Sequence, residues 1–221
     1  WEYSLLSDGT AVLMKYIGTE SVVTVTDVDG YAVSAIGANI LLEDSTVEEL
    51  SLPETVLTIS NYAFEKAGKI KKVVIPSSVK MIGSYAFWKS GIQEVVFGEN
   101  SKLTYIDAYA FADTKGLYSI EIPETTTQVR KYAFYNSSLE NISFGENAKL
   151  SEIGRYAFAN AGLTAVHLPD HELKVDYHAF DGNTKLTDLD LGSGKVQLYG
   201  YAFYNTALAE VKIPENVEYI G

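Results

Sequence analysis

The sequence predicts a parallel β-solenoid, a fold in which coils of the chain stack on one another, and two repeated patterns point to it. The first pattern is the tripeptide Tyr-Ala-Phe, which occurs in six copies, while a seventh carries His178 in place of tyrosine. The alanines of these units stand at positions 63, 86, 110, 133, 157, 179 and 202, so successive intervals are 23, 24, 23, 24, 22 and 23 residues. An interval this regular indicates repeated coils of one size.

The second pattern has the form L-x-x-I-x-I and is followed by proline or glycine, as in Ile70-x-x-Val73-x-Ile75-Pro76. Alternation in its second half turns apolar side chains inward and leaves the residue between them in solvent. Proline or glycine then ends the strand. A further apolar pair, such as Val79-x-x-Ile82, is expected to line a second wall. We expect the Tyr-Ala-Phe units to form short helical corners.

A single coil of this kind cannot bury its apolar side chains, whereas stacked coils bury a continuous core. We therefore expect the L-x-x-I-x-I segments to pair in parallel register as one sheet of about eight strands, spanning roughly 35 to 40 Å at a strand spacing of ~4.8 Å. Phenylalanines at one position of each coil should stack as a ladder inside it.

The combination of L-x-x-I-x-I-P with I-G-x-x-A-F resembles the BspA-like leucine-rich repeats of bacterial cell-surface proteins. The resemblance covers residues 22 to 221 and implies a leucine-rich-repeat solenoid that is secreted or displayed on a bacterial surface. It also implies attachment to proteins or to other cells. Family repeats often have cysteine three residues after the phenylalanine, where this chain has small residues such as Ala67, Ser90 and Thr114.

The two ends of the chain differ from its repeated middle. Asp8-Gly9 is a hairpin-turn dipeptide between two apolar runs, so residues 1–21 are predicted to form an N-terminal hairpin cap. Residues 22–221 are predicted to form one solenoid of about eight to nine repeats of 22 to 24 residues. The sequence stops inside a repeat at Ile220-Gly221, so the natural protein is expected to continue.

The composition narrows the range of partners. The net charge of −12 disfavours nucleic acid, because phosphate contacts require clustered Lys and Arg. No apolar run approaches the ~20 residues of a membrane-spanning helix, so membrane insertion by this segment is not expected. The absence of cysteine excludes disulfides, cysteine-ligated zinc and a cysteine nucleophile. No cofactor motif was identified.

A catalytic interpretation depends on the three histidines, His167, His171 and His178, which lie among several acidic residues. Imidazole and carboxylate groups suit several divalent ions, so a metal-dependent hydrolase at His167 and His171 is an alternative. The favoured interpretation is that His167 is an exposed strand residue, His171 a loop residue and His178 a replacement for the corner tyrosine. We therefore predict no metal site and no catalytic residues.

The candidate partner-binding residues are those that the repeat does not need for its core. We predict a binding surface on the outward side of the strands, formed by Lys71, Lys72, Val74, Val96, Tyr118, Glu121, His167 and Asp190. Valines at these positions are also explained by strand propensity alone. The predicted function is a non-catalytic extracellular binding or adhesion module for a protein or glycan. The alternative is a structural spacer that holds another domain away from the cell surface.

Overall fold

The computed structural model describes residues 1–41 and 45–221, which form a single column of stacked coils. In chain order the strands are β1 (Glu2–Leu5), β2 (Ala11–Lys15), β3 (Val22–Thr24), β4 (Val33–Ile36), β5 (Glu49–Ser51), β6 (Thr58–Ile59), β7 (Lys72–Ile75), β8 (Met81–Ile82), β9 (Glu94–Phe97), β10 (Tyr105–Ile106), β11 (Ser119–Ile122), β12 (Gln128–Val129), β13 (Asn141–Phe144), β14 (Glu152–Ile153), β15 (Ala165–His167), β16 (Leu173–Val175), β17 (Asp188–Asp190), β18 (Val196–Leu198) and β19 (Val217–Ile220).

One wall of the column is a sheet of 11 strands in the order β1-β2-β4-β6-β8-β10-β12-β14-β16-β18-β19, which we call the back sheet. All its pairings are parallel except that of β1 with β2. These two strands form a hairpin whose turn contains Asp8 and Gly9, and the backbone N–H of Thr10 donates to Asp8 Oδ1 over 3.0 Å. The hairpin covers the first coil through the pairing of β2 with β4.

The opposite wall is built from the L-x-x-I-x-I segments, and we call its outward side the strand face. Its strands pair in parallel register, as expected, but they do not form one continuous sheet. They form a four-stranded group, β3-β5-β7-β9, followed by the pairs β11-β13 and β15-β17. The expectation of a single sheet of about eight strands was therefore wrong for this wall.

The interruptions coincide with the longest coils. Val95 and Ile120 are 25 residues apart and Ile142 and Val166 are 24 apart, whereas equivalent residues of the paired strands are 22 or 23 apart. In both cases the additional residues follow the face strand, where Phe97 precedes Ile106 by nine positions instead of the seven between Ile75 and Ile82. Because the back sheet keeps its register through these coils, the extra length is accommodated on the strand face, and the ladder is interrupted there.

The Tyr-Ala-Phe corners are not helical in the part of the chain that the structure describes, which corrects the expectation of short helical corners. Alternate N–H groups at each corner bond in two directions. The N–H groups of Tyr62, Phe64 and Lys66 donate to carbonyls of the next coil over 3.0, 2.6 and 2.8 Å. Those of Ala63 and Glu65 donate within their own coil to the carbonyl three residues earlier. A helix would use all these N–H groups within one segment and would leave the coils unconnected at the corner.

The core contains the expected phenylalanine ladder. Phe64, Phe87, Phe111, Phe134, Phe158 and Phe180 are fully buried. Centroids of neighbouring rings are 4.8 to 5.3 Å apart, close to the ~4.8 Å separation of adjacent strands, so the coil spacing sets the spacing of the ladder. The alanine before each phenylalanine is buried as well, which lets the corner backbones pack closely.

Candidate partner-binding surface

The outward residues of the strand face are held in register by the ladders. Val74 lies directly opposite Ser51 on one side and Val96 on the other. Glu121 is paired with Ser143, and His167 with Asp190. None of these side chains belongs to the buried core, so the fold does not require their identities.

The two lysines beside the valines are ion-paired. Lys71 Nζ lies 2.7 Å from Glu48 Oε2, and Lys72 Nζ lies 3.0 Å from Glu94 Oε1. Exposed pairs of this kind contribute little to stability, but they neutralise the cations that the sequence places beside Val74. The centre of the predicted surface is therefore less basic than its sequence implies.

The predicted residues fall into two groups. Lys71, Lys72, Val74 and Val96 lie together on the continuous four-stranded sheet. Tyr118, which is 57% exposed, and Glu121 follow across the first interruption. His167 and Asp190 belong to the β15-β17 pair, which starts three coils beyond β9, or about 14 Å along the column at the usual strand spacing.

The three histidines point to separate surroundings. His167 Nε2 lies 3.1 Å from Asp188 Oδ2 on the strand face, and His171 Nδ1 lies 3.1 Å from the carbonyl of Glu172 in a loop. His178 stacks between Tyr156 and a tyrosine of the following coil. Residues 1–41 and 45–221 contain no group of three His, Cys, Asp or Glu side chains placed to hold a metal ion.

A feature that the sequence reasoning missed is an apolar cleft at the first interruption of the strand face, between β9 and β11. We call it the β9–β11 cleft; its main volume is about 740 Å³, and a smaller adjoining volume is about 280 Å³. The residues lining either part are Gln93, Glu94, Val95, Val96, Phe97, Gly98, Glu99, Asn100, Ser101, Ser119, Ile120, Glu121, Pro123, Glu124, Thr125, Asn141, Ile142 and Ser143. The 25-residue interval between Val95 and Ile120 is the sequence signal that could have indicated it.

Glycine at position 98 is needed for this shape. Other coils have proline here, but the N–H of Gly98 donates to the carbonyl of Ile75 over 2.9 Å, a bond that proline cannot make. A Cβ at this position would also lie 2.7 Å from the backbone nitrogen of Ser77. The longer loop therefore starts in close contact with the preceding coil.

The corner tyrosines form a second ladder on the outside of the column. Tyr85, Tyr109 and Tyr132 stack with centroid separations of 4.7 Å and planes 4° and 6° apart. Partial burial raises the pKa of Tyr109 and of Tyr132, with the neighbouring tyrosines as a lesser cause. Both faces of these rings are covered by their neighbours, so they are not available to stack on a sugar.

Stacked parallel coils with an in-register outward face define the class of protein as a leucine-rich-repeat solenoid. The chain belongs to the family described as BspA type Leucine rich repeat region, whose six copies match residues 34–151 and 104–221. No curated protein was found to match it. In the described residues no helix is long and apolar enough to cross a membrane.

Solved structures share the fold. A leucine-rich repeat protein from Bacteroides ovatus is 24% identical over 97% of this chain and 58% of its own length, with a TM-score of 0.78. A leucine rich cell surface protein from Faecalibacterium prausnitzii is 25% identical, with a TM-score of 0.59, over 97% of this chain and 55% of its own. The T. pallidum leucine-rich repeat protein is 19% identical, with a TM-score of 0.61, over 93% and 87% of the two chains. The chain thus spans little more than half the length of the first two.

Proposed function

We propose that this chain is a non-catalytic binding or adhesion module outside a bacterial cell and that its strand face contacts a protein or glycan partner. The observation that carries the proposal is the strand face itself. Its outward side chains are kept in register by backbone ladders, while the core does not use them. A rigid scaffold with freely variable side chains is how repeat proteins present extended binding surfaces.

The location outside the cell is supported by family membership and by similarity to a structure described as a leucine rich cell surface protein. Secretion, surface anchoring and partners of the whole protein are part of the proposal, because the chain spans 58% and 55% of the first two relatives.

The proposed centre of the surface is the Val74–Val96 pair with Tyr118. Interfaces tend to have an apolar or aromatic centre surrounded by polar groups. Here the valines lie opposite each other on adjacent strands, and the Lys71–Glu48 and Lys72–Glu94 ion pairs border them. Glu121, His167 and Asp190 extend the proposed surface along the column.

The test is a screen of the chain against extracellular proteins and glycans, followed by variants of any partner found. The double variant Val74→Asp with Val96→Asp, and separately Tyr118→Ala, should weaken binding at least about tenfold with little change in thermal stability. Leu57→Asp, an exposed apolar residue next to the back sheet, is the matched control and should leave binding unchanged. Binding that survives both changes but is lost when the corner tyrosines or the 98–100 and 145–147 loops are altered would place the site elsewhere.

The structural spacer is the competing function, and the continuous back sheet of 11 strands is the observation that favours it. The two functions give different results in the same screen. If no partner is found and replacing this segment by an unrelated solenoid of equal length preserves the activity of the full protein, the spacer function replaces the binding function.

A further inference from the structure

The β9–β11 cleft combines an apolar floor with an acidic rim. Val95 and Phe97 occupy inward positions of β9, equivalent to Val73 and Ile75 of β7, which are fully buried. In the cleft, however, Val95 and Phe97 are only half-buried. The interruption of the ladder exposes them, since no strand pairs with that edge of β9 in the described residues.

The charge around the opening has a single sign. The acidic residues lining the cleft are Glu94, Glu99, Glu121 and Glu124, and no Lys or Arg is among the lining residues. Glu94 is offset by Lys72, and Glu124 accepts the backbone N–H of Asn147 over 3.4 Å. Glu99 and Glu121 are exposed and make no ion pair within the described residues. These two carboxylates therefore favour a cation next to whatever enters the cleft.

The backbone at the cleft favours a polypeptide as the occupant. β9 and β11 end different sheets, so their facing edges present N–H and C=O groups that no ladder between them satisfies. An extended peptide can bond to such an edge while its side chains enter adjacent pockets. A volume of about 740 Å³ is ample for one large apolar side chain together with part of its backbone.

We propose that the β9–β11 cleft binds an extended segment of a partner protein, with one large apolar side chain of that segment against Val95 and Phe97 and flanking Lys or Arg residues beside Glu99 and Glu121. This inference rests on the proposed binding function and assigns to it the chemistry of the partner. It also explains a use for the longer coil, whose two additional residues open the cleft and whose loop supplies Glu99.

The probe is a fluorescently labelled peptide of glycine and serine with one Phe flanked on each side by two Lys. Its controls are the same peptide with Ser for Phe and with Glu for Lys. Fluorescence anisotropy with the 221-residue chain at low salt should show saturable binding of the parent peptide and binding at least about tenfold weaker for both controls, because apolar and charged contacts are both required.

Variants locate the site. Glu99→Gln with Glu121→Gln should weaken binding about four- to tenfold, and the loss should shrink with added salt. The control Glu49→Gln removes an exposed carboxylate of β5, where the ladder is continuous, and should have no effect. Val95→Thr keeps the shape but not the apolar surface and should weaken binding, whereas Val23→Thr changes an equivalent half-buried valine on β3 and should not.

Methyl NMR on the same samples reports the contact directly. The parent peptide should shift the methyl resonances of Val95 and Val96 and leave those of Val23 in place. Absence of binding by the parent peptide, equal binding of the Ser-for-Phe peptide, or equal losses from Glu49→Gln and from the Glu99 and Glu121 changes would overturn the inference. The proposed function would be unaffected by these results, because it depends on the partner screen and the strand-face variants.

Discussion

Replacement of a central phenylalanine tests whether the stacked ladder holds the coils together. Phe111 is fully buried, and its ring stacks on Phe87 at 4.8 Å and on Phe134 at 5.1 Å, with planes 5° apart in both cases. Phe111→Ala removes about 100 Å² of buried apolar surface, or about 2.5 kcal/mol at 25 cal/mol per Å². The cavity left between two rings that the backbone holds apart raises the expected loss of unfolding free energy to about 3 to 5 kcal/mol.

The assay is equilibrium unfolding in urea, followed by circular dichroism and by the fluorescence of Trp88, because agreement between the two probes shows whether the coils unfold together. Phe203→Ala is the matched control. Phe203 is only partly buried and stacks on Phe180 alone in the described residues, so its loss should cost clearly less than the loss of Phe111. Equal costs for the two positions, or a cost below about 1 kcal/mol at Phe111, would refute the reasoning.

Three further predictions concern the corners and the histidines. Tyr132 has a left-handed backbone with φ of 60°, so Tyr132→Gly should be more stable than Tyr132→Ala by about 1 kcal/mol; chemical unfolding of both variants measures this, and a more stable alanine variant would contradict it. The pKa values of Tyr109 and Tyr132 are raised by burial in the fold, so the unfolded chain loses these protons first as pH rises, and stability should fall above pH about 10; unfolding at pH 9 and pH 11 with absorbance at 295 nm tests this, and unchanged stability would count against it. Titration calorimetry with zinc, nickel and manganese should show no stoichiometric site, and tight binding that disappears in His167→Ala and His171→Ala would restore the metal-dependent alternative.

The repeat made the solenoid, the parallel register and the phenylalanine ladder predictable, because each depends only on which residues recur at one position of every coil. The corners were mispredicted because Tyr-Ala-Phe has good helical composition, whereas the structure uses alternate N–H groups to join neighbouring coils. Tertiary hydrogen bonds here override local propensity, at the cost of left-handed backbone at Tyr62 and its equivalents.

The surface was predictable only in part. Period-two alternation placed Val74 and Val96 on the outward side, and the register confirms that they are neighbours. The partners of Lys71 and Lys72 come from coils 23 and 22 residues away, so their neutralisation depends on side-chain geometry that no local pattern contains. The cleft at Val95 depends on a two-residue difference in coil length, whose effect on one wall requires knowing that the other wall stays in register.

The use of the strand face for binding is tested most directly by amide hydrogen exchange of the chain alone and in complex with the first partner recovered in the extracellular screen. The predicted result is added protection in β7, β9 and β11, with the corner segments and the back sheet unchanged. Added protection confined to the corners, or to the 98–100 and 145–147 loops without the strands beside them, would contradict the account.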